Sequence, residues 1–361
     1  RWARGIMRTI PKEAGNLAVD KQRPITLLNS KAKWITGTVK LCLQDFLNVI
    51  VPMEQKGFMK GRNVDAHLHK VMQIQVTNTK GAWVSIDFLK AYDTVGHQII
   101  EALLSVVGLE RHWIRMLIEF MEEELGFLIA NKVSDTWIRP KGGIRQGDSL
   151  SPALFVLITA ILCLMMKRAM PRTEPMLYAD DTLVWVPGEL QEIEQELRTL
   201  KRVMEQYAEV TGQRMHQGKS KVVLQGEWEQ APTHIEGFQV VSAVRYLGIQ
   251  LGRATVESQY AAPMKKFEQK MVFLQSLPFS EAERAKAILT WACPVFSVVG
   301  KVVFPTEEVM KKVDAMARAV MGIKSWGITT KILTQRKEQG GVELVMPSVY
   351  LRHLHSKYYV Q

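Results

Sequence analysis

Ala179-Asp180-Asp181 lies between two short apolar runs, residues 175–178 and 182–186. Runs of that length and composition read as strands. The three residues between them leave room only for a tight hairpin with two adjacent acids at its tip. A third acid, Asp87, ends another short apolar run, Ala82-Trp83-Val84-Ser85-Ile86-Asp87, which follows a glycine and lies 93 residues before Asp180. If these strands are neighbours in one sheet, three carboxylates meet at one of its ends. Like charges that close are unfavourable without a cation. Two divalent ions, roughly 3.5–4 Å apart, would relieve them and support phosphoryl or nucleotidyl transfer. Hard oxygen donors point to Mg²⁺, for which Mn²⁺ can substitute. Taken alone, an Asp-Asp turn also fits an ordinary solvated hairpin tip.

Charge supports the first reading. Lys and Arg number 47 against 36 Asp and Glu, a formal net charge of +11. An excess of that size speaks about partners and not about fold, and nucleic acid is the commonest polyanion. A basic soluble enzyme would carry the same balance. With 47% apolar and 23% charged residues the chain is not wholly disordered, and 361 residues imply two or three structural units. Cys42, Cys163 and Cys293 are far apart, which speaks against a disulfide partner or a zinc finger. The most apolar stretch, Ala153–Met166, is shorter than the ~18 residues of a membrane span and reads as a buried helix. The chain begins Arg1-Trp2-Ala3-Arg4 without Met, as a piece of a longer polyprotein would.

Periodicity and breakers predict helices over 31–51, 64–76, 98–107, 111–124, 151–170 and 189–210. Strand-like stretches fall at 126–138, 221–225 and 238–251, and Asp93-Thr94 is placed to cap the helix that follows. From Thr255 onward helices dominate, over 264–276, 282–291 and 306–321.

Tyr178-Ala179-Asp180-Asp181 resembles the Y-x-D-D signature of reverse transcriptases. Asp87-Phe88-Leu89-Lys90-Ala91-Tyr92-Asp93 is similar to their first aspartate motif, and Arg145-Gln146-Gly147-Asp148-Ser149-Leu150-Ser151-Pro152 to their Q-G-x-x-x-S-P motif. Gly218-Lys219-Ser220-Lys221 and Tyr246-Leu247-Gly248 resemble the lysine motif and the primer-grip hairpin. Arg23-Pro24-Ile25 and Gly57-Phe58…Gly61-Arg62 resemble the fingers motifs. Seven motifs in order, from about residue 20 to 252, resemble the non-LTR (LINE-type) retrotransposon branch, with group II intron enzymes as nearest relatives. Four positions depart from the pattern. Ser149 stands for a usual Pro, Met215-His216 for a usual Leu-Asn, and Glu343, after Gly340-Gly341, for an expected Gly.

The resemblance implies an α+β right-hand polymerase fold. Fingers would span 1–80 and the palm, with an antiparallel sheet, 81–253. A fingers insertion would lie around 112–143, and a helical thumb and C-terminal extension at 254–361. It implies RNA-directed DNA synthesis, in which a DNA primer is extended on an RNA template with dNTPs, as in target-primed reverse transcription. The setting would be intracellular, in a nucleus or ribonucleoprotein particle and away from membranes. Asp87, Asp180 and Asp181, with the Phe88 carbonyl, would hold two Mg²⁺ ions. Arg23 and Lys219 would meet the triphosphate, Tyr92 would exclude a 2′-OH, and Gln146 and Gly147 would lie beside the nucleotide. Tyr246 and Gly248 would position the primer end. Two other functions remain open on sequence: a non-catalytic RNA-binding maturase or splicing scaffold that keeps the fold, and an RNA-dependent RNA polymerase. Tyr92 speaks against the last.

Overall fold

A computed structural model describes residues 4–12, 15, 16, 18, 21–77, 79–129, 132–228, 230–322 and 330–360. The chain divides into two compact units, one up to Val241 and one from Ser242 onward.

The first unit opens with β1 (Gly5–Pro11) and β2 (Gln22–Leu28), paired antiparallel, then α1 (Ser30–Ile50) and α2 (Asp65–Val76). Asn29 begins α1, its side chain accepting from the Ala32 N–H. β3 (Gly81–Ile86), α3 (His97–Val106) and α4 (Arg111–Glu122) follow. The strand-like stretch at 126–138 is a hairpin of β4 (Leu125–Ile129) and β5 (Lys132–Ile138). β4 returns to the N-terminus and pairs in parallel with β1, giving a four-stranded sheet ordered β2-β1-β4-β5.

α5 (Ser151–Ala169), β6 (Glu174–Tyr178), β7 (Asp181–Pro187), α6 (Leu190–Thr211), β8 (Lys221–Gln225), β9 (His234–Ile235) and β10 (Phe238–Val240) complete the unit. The second sheet is ordered β6-β7-β3-β8-β10-β9. It is antiparallel except for the β8–β10 pair. Alternation along β3 sends Ala82, Val84 and Ile86 into the main core and Trp83 to the opposite face, where its ring meets Trp185 at 4.7 Å. Both faces are buried, so β3 and β7 read as continuous apolar runs.

α5 is the central core helix. Its length and composition would allow it to cross a membrane, and 61% of that window is buried within the unit. Ser151 and Pro152 start it and Phe155, Val156 and Ile158 are wholly enclosed. α6 packs beside it through Ile193, Leu197, Leu200, Met204 and Tyr207, the i, i+4, i+7 stripe of an amphipathic helix. Each such burial contributes roughly 1.5–3 kcal/mol. Glu189 and Glu192 form a capping box at its start, and Gly212, at φ +82°, ends it.

The second unit begins with β11 (Ala243–Tyr246) and β12 (Ile249–Gly252), a separate two-stranded hairpin turned by Leu247 and Gly248 at φ +46° and +96°. The strand-like stretch over 238–251 is three short strands in two sheets. Helices α7 (Val256–Ser276), α8 (Glu281–Ala287), α9 (Val299–Val302), α10 (Glu307–Val320), α11 (Thr330–Thr334) and α12 (Pro347–Val360) follow. α7 starts eight residues earlier than its periodicity suggested, because Pro263 lies inside it and masks the signal. Glu343 has φ +56°, a left-handed conformation that glycine adopts freely, which accounts for the glycine expected there.

Candidate active site

The sheet register brings the three motif aspartates to one end. β3 and β7 pair antiparallel from Gly81↔Pro187 to Ile86↔Thr182, and Tyr178↔Asp181 closes the β6–β7 hairpin. One residue beyond Ile86↔Thr182, Asp87 stands opposite Asp181, with Asp180 next in the turn. All three are exposed. Ala179, in the same turn, is buried with φ +57°, a conformation that costs an L-residue about 1–2 kcal/mol.

The lysine-motif loop is bonded to the Asp87 segment by backbone. His216 N–H donates to Asp87 C=O at 2.7 Å, Leu89 N–H donates to Arg214 C=O at 2.9 Å, and Phe88 bridges Met215. Ser220 completes the link: its buried hydroxyl accepts from Asp87 N–H at 3.1 Å and donates to His216 C=O at 3.0 Å. The unusual Met215-His216 pair makes these contacts through backbone, which any side chain there would allow. Lys219 itself is exposed. Since Asp87 and Leu89 use their polar groups toward this loop, strand alternation turns the Phe88 carbonyl to the other side, where β7 and its aspartates lie.

Tyr92 lies within the electrostatic reach of Asp180. Its ring stacks on Phe155 of α5, centroids 4.6 Å apart and planes 1° from parallel. Burial, and secondarily the Asp180 carboxylate, push its hydroxyl above the usual tyrosine range, so it stays protonated. Asp93, one residue on, accepts a hydrogen bond from the Gln146 side chain, and burial raises its carboxyl. The expected cap at Asp93-Thr94 is corrected. Both lie in a turn in which Asp93 N–H and Thr94 N–H donate to Lys90 C=O, and α3 starts after Gly96, which supplies no side-chain cap.

Gln146 C=O accepts from Thr26 N–H at 2.7 Å, which joins its loop to β2. Gly147, at φ +104°, needs its missing side chain: a Cβ there would lie 2.7 Å from Thr26 C=O and 3.3 Å from Ile25 Cγ2. Its close approach is to β2. Arg23, exposed, shares that face of β2 with Ile25. Arg145 is structural: it donates to the Met121 and Glu123 carbonyls at the end of α4, and burial pushes it down to about 10. Buried Asp148 accepts from Thr36 at 2.6 Å.

Two residues sequence reasoning missed hold the site. Ser220 is one. The other is Gln55, fully buried, which accepts from Ala179 N–H at 3.0 Å. Its neighbour Gly57 passes so close to the turn that a Cβ would sit 2.2 Å from Ala179 N. Arg62 serves the same loop, donating to the carbonyls of Asn48, Val51, Pro52 and Gln55. In the second unit Tyr246 is buried, so the hairpin tip at Leu247-Gly248 is its accessible part, and a Cβ on Gly248 would lie 3.2 Å from Val298.

Among the described residues no three His, Cys, Asp or Glu side chains cluster tightly enough to hold a metal by themselves. The candidate donors at this end of the sheet are exposed aspartates and a backbone carbonyl, all oxygen. That set fits Mg²⁺, which takes one or two carboxylates and completes its shell with substrate phosphates and waters.

Comparison with known proteins identifies the family and the fold. Residues 10–251 match the family described as reverse transcriptase (RNA-dependent DNA polymerase). The chain belongs to that family, whose enzymes are nucleotidyltransferases. It is 36% identical over 75 residues to an uncharacterised mitochondrial protein of Arabidopsis thaliana, covering 16% of this chain and 62% of that one. Its structure resembles a Candida tropicalis telomerase solved with the TWJ fragment of telomeric RNA, with TM-score 0.52, 14% identity, 99% of this chain and 62% of that one covered. A Candida albicans telomerase solved with the same kind of RNA fragment gives TM-score 0.52 at 11% identity, again covering 99% and 62%. These likenesses establish the fold, a mixed helix-and-sheet right-hand polymerase. The chain spans about three fifths of the length of these relatives.

Proposed function

We propose that this chain extends a DNA primer on an RNA template by metal-assisted nucleotidyl transfer, in the setting of a non-LTR retrotransposon inside the cell. The observation that carries the reading is the β3–β7 register, which sets Asp87 beside the Asp180-Asp181 turn. Divalent metal, when bound, lowers the pKa of the attacking 3′-OH and neutralises charge on the transferred phosphate and its leaving group. Asp87 and Asp180, with the Phe88 carbonyl, hold it, and Asp181 is a supporting carboxylate. Arg23 and Lys219 bind the triphosphate. Tyr92, held flat on Phe155, closes the space a 2′-OH would need and so selects deoxynucleotides. Gln146 lines the nucleotide side, and the Leu247-Gly248 tip of the hairpin that Tyr246 anchors meets the primer. The partners are RNA, primer DNA, dNTPs and further domains of a longer polyprotein.

The test is primer extension on an RNA template with dNTPs and Mg²⁺. Wild-type protein is expected to extend the primer, and Asp180→Asn is not. Absence of wild-type product, or equal product from Asp180→Asn, overturns the catalytic reading and favours a non-catalytic RNA-binding role.

A further inference from the structure

We infer that Gln55, 124 residues before the aspartate turn, is the positioning residue that fixes Asp180 for catalysis; this rests on the polymerase reading above.

The Gln55 side chain is wholly enclosed and uses both ends of its amide. Oε1 accepts from Ala179 N–H at 3.0 Å and from Gly57 N–H at 2.9 Å. Nε2 donates to Thr159 Oγ1 of α5 at 2.8 Å and, more weakly, to Ala179 C=O at 3.4 Å. One side chain thus holds both polar groups of the residue preceding Asp180. The backbone around it reinforces the grip. Lys56 N–H donates to Leu177 C=O and Leu177 N–H to Glu54 C=O, each at 2.9 Å, so Gln55 forms a parallel bridge with Leu177 of β6.

Ala179 needs this support. Its φ of +57° is unfavourable for an alanine, and such a conformation persists only where the surroundings over-determine it. Relaxing it would rotate the Ala179–Asp180 peptide and carry the Asp180 carboxylate away from Asp87. The same contacts make the turn answerable to the loop that ends at Arg62, so the fingers motif and the catalytic turn move as one piece. Gln55 touches no substrate, and its effect passes through the Ala179 backbone.

The experiment uses the whole chain with Gln55→Met, which fills the space and removes every hydrogen bond, and Gln55→Glu, which keeps the acceptor. Amide hydrogen exchange of a peptide covering 177–182 is read first, since it does not depend on activity. Faster exchange there in Gln55→Met, with the β3 peptide unchanged, is expected; unchanged exchange at 177–182 overturns the proposal whether or not the chain polymerises. In primer extension, Gln55→Met is expected to lower kcat at least tenfold and raise the Mg²⁺ concentration for half-maximal rate, with RNA–DNA duplex binding within twofold of wild type. A fall in duplex binding matching the fall in rate overturns it. Gln55→Glu donates from its carboxyl only when protonated, so its rate relative to wild type is expected to rise as pH is lowered from 8 to 6. A ratio independent of pH overturns the donor role. An inactive wild type would sink the polymerase reading and leave the exchange result to decide on the clamp.

Discussion

The ring of Tyr92 lies on that of Phe155 at 4.6 Å with the planes 1° apart. Phe155 is itself immobilised in the core as part of α5, so Tyr92 is backed by a rigid wall. If this wall makes the gate, removing either ring opens it. Tyr92→Ala is expected to incorporate ribonucleotides readily. Phe155→Leu removes a stacking contact worth about 1 kcal/mol, so sugar discrimination is expected to fall roughly fivefold with the hydroxyl still present. Single-nucleotide incorporation of dNTP against rNTP measures both. Unchanged discrimination in Tyr92→Ala would remove it from the gate.

Much of this site was legible because it is local. An apolar run ending in Asp87 and a hairpin tipped by Asp180 need only alternation and turn chemistry to be recognised, and the structure pairs their strands directly. Helices with an uninterrupted stripe were also plain: the spans expected at 31–51 and 189–210 are Ser30–Ile50 and Leu190–Thr211. What stayed hidden depends on distant partners. β1 is a largely exposed strand whose place is set by β2 on one side and β4, about 120 residues on, on the other. Gln55 and Ser220 look like any loop amide and hydroxyl until residues 124 and 133 positions away close on them. Gly147 was expected to make room for substrate, yet the neighbour that demands a glycine is Thr26 C=O.

The metal prediction follows from exposure. Asp87 and Asp180 are solvent-facing, so Asp→Asn changes there are expected to leave the unfolding free energy from urea titration within about 0.5 kcal/mol of wild type. Primer extension should nonetheless fall by roughly a thousandfold, the scale of losing several kcal/mol of charge stabilisation. EDTA should abolish wild-type extension, and added Mg²⁺ or Mn²⁺ should restore it. A variant that loses activity and stability together would point to a structural role for the carboxylate.

His67 gives the stability of the chain a pH dependence. It is buried on α2, and burial first, then the charges of Lys56 and Lys70, push it down to about 4. The native state thus favours neutral imidazole, while the unfolded chain binds its proton near pH 6.5. The stabilisation is full above pH 6.5 and is lost as pH falls toward 4, by at most about 3 kcal/mol. Urea midpoints measured at pH 7 and pH 5 should fall for wild type and fall less for His67→Gln. Equal slopes in the two proteins would show that His67 does not control the window.

Ser220 tests whether the lysine loop and the first aspartate are one mechanical unit. Its buried hydroxyl links Asp87 N–H to His216 C=O, and removing it strands the Asp87 donor, while His216 C=O keeps the Lys219 and Ser220 N–H groups. Leaving a buried group unsatisfied costs about 1–3 kcal/mol, so Ser220→Ala should lower the unfolding free energy from urea titration by that amount, and Ser220→Thr, which keeps the hydroxyl, should recover most of it. The consequence reaches the reaction because Asp87 is the residue whose amide is released. In Ser220→Ala, kcat is expected to fall while KM for dNTP stays near wild type, since Lys219 remains on a loop still tied by His216 N–H to Asp87 C=O. A rise in KM with kcat unchanged would mean that the hydroxyl serves Lys219 and the triphosphate instead of Asp87.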